Sequence, residues 1–242
     1  MKKEKLNIFI QARVHSSRLP GKCFHSFYNQ KTLERVIDIT KKIKWNTKIF
    51  LVSSVKSKNL LQKISKKKNI RSYYGDENNV AKRFSDCIDK FNIKKNEYIL
   101  RITADNYLVQ PMILNKMIKI FFRKKKLNDI RYFYVKPLSH FAGEIFSVEF
   151  FFHIYNINKK NAPTKEHVTW KMRQSKKYAQ GLPKNFMGIK HNLTITLDNL
   201  EDLILMKNFE KLNLFKKLNC LTQIKKYLKN KQSFKKIKKN VF

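Results

Sequence analysis

Three cations and two serines stand in the stretch Gln11-Ala12-Arg13-Val14-His15-Ser16-Ser17-Arg18-Leu19-Pro20-Gly21-Lys22, directly after the apolar run Leu6-Asn7-Ile8-Phe9-Ile10. A loop of small and hydroxylated residues at the end of a first strand is built to hold a polyanion. Backbone N–H groups and serine hydroxyls approach phosphate oxygens closely, Arg13 and Arg18 can fork onto them, and Lys22 acts as a point charge. The ligand this suits is a nucleoside triphosphate. Gly21 is the only glycine of the loop, so the spacing fits neither a Walker A loop nor a dinucleotide fingerprint. The plain alternative is a basic turn after a strand.

Carboxylates at other strand ends supply the complementary chemistry. In open α/β sheets ligands bind where loops leave the carboxyl ends of strands, which directs attention to Gly75-Asp76-Glu77-Asn78-Asn79-Val80, to Thr103-Ala104-Asp105 and to Asp198. Asp105 and Asp198, two separate carboxylates facing a phosphate loop, make the arrangement expected for Mg2+, which takes one or two protein carboxylates and completes its octahedron with phosphate oxygens and water. Each residue also has a structural reading. Asp105 and Asp198 could cap the helices that follow them. Arg101 could be an ion-pair partner, Arg83 a solvated helix residue, and His167 a helix-face histidine. The run Phe150-Phe151-Phe152 reads as core.

The elements that must position these residues follow from periodicity. Short β-rich runs alternate with helical stripes through the first half, which argues for a parallel sheet with right-handed crossovers. Strands are expected at about 7–13, 48–54, 70–74 and 98–103, and helices at about 32–44, 57–68, 78–92 and 111–125. The third helix carries Val80, Phe84, Cys87, Ile88 and Phe91 on one face, and Pro111 opens the fourth. Beyond it the pattern loosens: a strand at about 130–135, a strand and helix at about 144–157, a helix at about 163–175, strands at about 186–190 and 192–197, and helices at about 199–212 and 221–231. A single domain spanning 1–242 is expected, with an extension at about 135–190 and a frayed basic end at 235–242.

Several motifs together resemble the cytidylyltransferases that make CMP-activated acidic sugars, most nearly the spore-coat-polysaccharide type and more distantly the CMP-3-deoxy-manno-octulosonate and CMP-sialate synthetases. The loop through Lys22 is similar to that family's opening signature, and Gly75 with Val80, Arg83 and Phe84 to its G…V-x-x-R-F pattern. Arg101-Ile102-Thr103-Ala104-Asp105, Gly143-Glu144-Ile145-Phe146-Ser147 and Glu166-His167-Val168-Thr169 extend the likeness. The closing L-T-[VI]-D-x-x-E-D-L pattern appears from Leu193 to Leu203 with its aspartate, Asp198, two residues further on. Tyr107 stands where relatives usually carry proline, Gln110 where an acidic residue is common, and Asn79 where aspartate is usual. Only five glycines occur, and Gly21, Gly75 and Gly143 fall inside these motifs, which suggests positions needing positive φ or close backbone approach.

The resemblance implies an α/β, three-layer Rossmann-like fold of the glycosyltransferase-A type, with a mainly parallel sheet and helices on both faces. It implies transfer of CMP from CTP to an acidic sugar for surface polysaccharide biosynthesis, with Mg2+ as cofactor. Asp105 with Asp198 would hold the metal, and Arg13, Arg18 and Lys22 would grip the β- and γ-phosphates. Gln11, Ala12, Ser16 and Arg83 would frame the nucleotide, while Arg101, Glu144, Glu166 and His167 would line the acceptor pocket. A homodimer is compatible with this reading. A sugar-phosphate nucleotidyltransferase using another base, or a glycosyltransferase of the same architecture, would share much of the logic. The glycosyltransferase would not need the Arg13, Arg18 and Lys22 set.

Composition narrows the remaining classes. The chain has 242 residues with 54 Lys+Arg against 17 Asp+Glu, a formal net charge of +37, which alone would suggest nucleic acid or an anionic membrane. The excess is mostly lysine, spread along the chain in Lys41-Lys42, Lys66-Lys67-Lys68, Lys124-Lys125-Lys126 and Lys216-Lys217, and it lacks the aromatic and arginine interleaving of an RNA-binding surface. It reads as compositional drift on solvated faces. Cys23, Cys87 and Cys220 are too scattered for a zinc site or a disulfide framework. No apolar window reaches the roughly 18 residues of a membrane span, and Met1-Lys2-Lys3-Glu4-Lys5 leads into a strand. A cytoplasmic location is expected.

Overall fold

The computed structural model describes residues 4–135, 142–158, 165–182 and 197–211. Strand β1 (Leu6–Gln11) is an inner strand, third in order, of a seven-stranded sheet. It pairs in parallel with β4 (Thr47–Ser54) on one side and with β6 (Tyr98–Thr103) on the other, and β5 (Arg71–Gly75) extends the first side. Beyond β6 come β8 (Glu144–Ser147), β7 (Tyr132–Val135) and β9 (Ala179–Leu182), with β8 antiparallel to both of its neighbours. The sheet is thus mainly parallel. A two-strand hairpin, β2 (Ser26–Phe27) with β3 (Gln30–Lys31), stands apart from it.

Alternation along the strands splits the core between the two faces of the sheet. Ile8, Ile10, Leu51, Leu100, Ile102 and Ile145 pack on one face with helices α1 (Thr32–Lys41), α2 (Lys58–Lys67) and α4 (Pro111–Lys125). Phe9, Phe50, Val52, Ile99 and Phe146 pack on the other with α3 (Val80–Lys90) and α5 (Val148–Ile157). Phe150 and Phe151 are buried in this second core, as their apolar run predicts. Further helices among the described residues are the single turn α6 (Trp170–Arg173) and α7 (Leu200–Lys211).

Through residue 157 the expected elements appear with ends displaced by no more than a few residues. The helix expected at 163–175 does not form over its described part: a helical turn at 165–166 is followed by a break and then α6. Val168 and Thr169 are each 2% exposed, and Val168 packs in the second core from the turn that separates the two helical pieces. The stretch expected as an extension supplies β8, α5 and β9, and both strands belong to the main sheet. The expected strand at 186–190, residues 192–196 of the next, the helix at 221–231, Cys220 and the end at 235–242 lie outside the described residues.

Candidate active site

Chain order places β4 and β5 on one side of β1, and β6 then returns to the other side. The carboxyl ends of β1 and β6 therefore flank the topological switch point, where open α/β sheets form their crevice. Gln11 and Thr103 are register partners at that edge, and Ala104 N–H donates to Gln11 O at 2.9 Å. Between these strand ends lies a cleft lined by Gln11, Ala12, Arg13, Arg18, Lys22, Arg83, Arg101, Asp105, Glu166 and His167, together with Cys23, Val80, Thr103 and Ala104.

The loop after β1 is anchored from beneath. Ala12, Val14, Ser16 and Leu19 are buried while Arg13, His15, Ser17 and Arg18 are exposed, so the small and apolar positions hold the loop and the cations face outward. Ser53 Oγ donates to Ala12 O at 2.7 Å, and Val14 N–H donates to Ser57 Oγ at 3.2 Å. Gly21 closes the loop with its N–H on Val14 O at 2.9 Å. It does so at φ 65°, a conformation that glycine reaches without steric cost. These contacts deliver Lys22 to the cleft floor.

Lys22 Nζ lies 2.5 Å from Asp105 Oδ2 and 2.8 Å from Asp198 Oδ1, and its side chain is 13% exposed. Burial works to lower the Lys22 pKa, but the two carboxylates outweigh it and hold the ammonium above the ordinary lysine value. Arg18 reaches Asp198 at 3.8 Å. The capping readings find other residues in the role. The N-cap of α4 is Gln110, with Pro111 at the first position, and Asp105 sits in the turn after β6. Ahead of α7, Asn199 Oδ1 accepts from Asp202 N–H at 2.8 Å while the Asp202 carboxylate accepts from Asp198 and Asn199 N–H, a reciprocal capping arrangement.

Tyr107 braces the Asp105 turn. It is 3% exposed, its hydroxyl donates to Phe27 O of the hairpin at 2.9 Å, and its backbone O accepts from Arg35 Nε at 2.8 Å. Asp105 Oδ1 is buried and has no hydrogen-bond partner. A buried carboxylate oxygen without a donor is costly unless a cation faces it. Two carboxylates from separate strand and helix ends, one with such an oxygen, fit a hard divalent cation that also takes phosphate oxygens. Among the described residues no group of three His, Cys, Asp or Glu side chains could enclose a metal without such further ligands.

Arg83, in the first turn of α3, is no solvated helix residue: it is 2% exposed and its Nε lacks a partner. Burial pulls its guanidinium below the ordinary arginine value, with Glu77 opposing and Arg13 adding to the shift. A Cβ on Gly75 would lie 2.7 Å from the Tyr73 ring and 3.2 Å from Arg83 Cγ, so only glycine leaves room for this packing. Asn79 caps α3 by accepting from Lys82 N–H at 2.9 Å, a role asparagine fills as well as aspartate.

Arg101 lines the cleft and is ion-paired at the same time. Its Nε donates to Gln11 Oε1 at 2.9 Å and its Nη1 to Glu144 Oε2. Glu144 lies behind Arg101, outside the cleft lining; it also accepts from the Tyr132 hydroxyl and meets Arg173 at 3.5 Å. Burial works to raise its pKa, but Arg101, Tyr132 and Arg173 hold the carboxyl below the ordinary glutamate value. Glu166 and His167 are exposed on the rim, Glu166 at the end of the helical turn at 165–166 and His167 in the break before α6. Ser16 is buried in the loop and Asp198 reaches the cleft through Lys22. Sequence reasoning missed Ser53, Ser57, Tyr132 and Arg173. Ser53 had a signal, since it ends an apolar strand at the edge where ligands bind. Burial pushes the Cys23 thiol at the cleft wall up to about 12, which leaves it unsuited to nucleophilic work.

The chain matches the family model described as Cytidylyltransferase over residues 8–240. It belongs to the cytidylyltransferase family. This makes it a CTP-dependent nucleotidyltransferase. It is similar to the spore coat polysaccharide biosynthesis protein SpsF of Bacillus subtilis (strain 168), 27% identical over 202 residues covering 80% of this chain and 81% of that protein. In fold it is similar to a cytidylyltransferase from Leptospira borgpetersenii serovar Hardjo-bovis (strain JB197), with TM-score 0.78 at 21% identity over 95% and 96% of the two chains. It is also similar to CMP:2-keto-3-deoxy-manno-octonic acid synthetase complexed with CTP, with TM-score 0.59 at 10% identity over 88% and 99%. The cytidylyltransferase fold explains why the loop after β1 and the turn after β6 converge on one cleft.

Proposed function

We propose that this cytidylyltransferase transfers CMP from CTP to an acidic sugar, releasing pyrophosphate, in the assembly of a surface polysaccharide. The observation that carries the reading is the Asp105 carboxylate at the end of β6, with its buried unpaired Oδ1, facing a loop that holds Arg13, Arg18 and Lys22. The SpsF relative and the octonic acid synthetase neighbour support the choice of pathway and acceptor.

A sugar hydroxyl attacks the α-phosphorus in line with loss of its proton, and the bond to the β-phosphate breaks. Catalysis is then positioning and neutralisation of charge. Arg13, Arg18 and Lys22 bind the β- and γ-phosphates, so they stabilise the charge that grows on the leaving pyrophosphate. Asp105 and Asp198 are the residues that would hold Mg2+, which when bound supplies a Lewis acid against the phosphate oxygens. Arg83 and the Gln11-Ala12 backbone frame the nucleotide. Arg101, fixed by Glu144 and Gln11, offers the acceptor side a preorganised cation, and Glu166 and His167 close its rim.

Asp105→Asn tests this directly. The substitution keeps the side-chain shape and removes the charge, so activity is expected to fall by about 10²–10³-fold. The melting temperature should move little, because Asp198 still faces Lys22. An active Asp105→Asn enzyme would overturn the assignment.

A further inference from the structure

The two cations assigned to the Asp105–Asp198 pair cannot occupy it together. Lys22 Nζ is within hydrogen-bond distance of one oxygen of each carboxylate, and a divalent ion held by the pair would need the same lone pairs. At that separation an ammonium and a metal ion also repel strongly in a shielded site. We infer that Lys22 is the resident counter-cation of the metal site: an incoming divalent ion displaces its ammonium, and the triphosphate receives it. This rests on the reading of Asp105 and Asp198 as the metal carboxylates.

Three features favour an exchange over a permanent pair. The Lys22 side chain is nearly buried, so its ammonium, once expelled, needs another anion within reach. Arg13 and Arg18 stand at the same cleft and Arg18 already approaches Asp198, so the surroundings offer an expelled cation repulsion unless phosphates are present. Asp105 Oδ1 is left without a partner by the lysine, whereas a metal and its waters can use both oxygens. Without nucleotide, metal binding is therefore opposed by Lys22. With triphosphate, the same displacement gains a phosphate partner. Metal and triphosphate bind with positive coupling, and the lysine arrives at the phosphates only when the metal has arrived.

The test is Mn2+ binding to the full chain without nucleotide, followed by electron paramagnetic resonance. Lys22→Met keeps the stem and removes the charge. It is expected to bind one Mn2+ at least about tenfold more tightly than wild type, and to lose that gain when Asp105→Asn is added. Equal or weaker binding by Lys22→Met, or a gain that survives Asp105→Asn, would overturn the inference. A second measurement needs no charge-removing variant to fold. In wild-type protein labelled with 15N-lysine, the protected Lys22 ammonium resonance should lose its protection as Mg2+ saturates the site, and an unaltered resonance at saturation would contradict the exchange. Failure of the cytidylyl-transfer reading would show separately, as wild-type enzyme that releases no pyrophosphate from CTP.

Discussion

Behind the cleft lining one buried carboxylate, Glu144, faces Arg101, Arg173 and the Tyr132 phenol. Its pKa lies below the ordinary glutamate value in the folded protein, so the unfolded chain binds the extra proton in acid. The resulting stability is fully present above about pH 4.5 and is lost as pH falls through the folded value. Glu144→Gln should cost about 3 kcal/mol at neutral pH by leaving Arg101 without its buried partner. It should also flatten the acid limb of a urea midpoint series between about pH 6 and pH 3. An acid limb as steep as wild type would contradict this. At this scale the sequence is most legible where residues end strands: Lys22, Asp105 and Arg101 all stand in motifs at that edge, and all line the cleft. Arg173 and Tyr132 were not legible, because their link to Glu144 is made by β7, β8 and α6 meeting in space and leaves no spacing in the chain.

Among elements, the β4–α2 connection supports the phosphate loop without lining the cleft. Ser53 and Ser57 are fully buried and bond to Ala12 O and Val14 N–H. Ser57→Ala leaves the Val14 N–H short of its acceptor, a loss worth about 1–3 kcal/mol. We expect the KM for CTP to rise by about tenfold with a smaller change in kcat, since the loop that grips the phosphates loosens while the Asp105 turn is untouched. A lowered melting temperature with unchanged KM would mean that the hydroxyl serves packing alone. The alternating first half was readable because each strand and helix has a strong period of its own. The helix expected at 163–175 is interrupted at Val168, which packs in the second core and leaves no break in the sequence pattern to read. Strand β9, Ala179–Leu182, has no alternation to read; its place is set by pairing with β7.

For the whole molecule, the net charge of +37 surrounds a cleft that is itself cationic, which favours capture of a polyanion as small as a nucleotide. The lysines are dispersed, so nucleic acid should bind weakly and without sequence preference. Anisotropy with duplex and single-stranded oligonucleotides should give Kd values of about 10⁻⁴–10⁻⁶ M at physiological salt, with a steep salt slope. Sub-micromolar, sequence-selective binding would give the charge an evolved role. Among the described residues no helix is long and apolar enough to cross a membrane. The central claim concerns what the cleft between β1 and β6 does with its ligand. It is tested most directly by pyrophosphate release from each of the four nucleoside triphosphates, with Mg2+, against a panel of acidic and neutral sugars. The account predicts release from CTP that depends on an acidic sugar and yields the CMP-sugar; preference for another nucleotide, or for a neutral sugar or sugar phosphate, would contradict it.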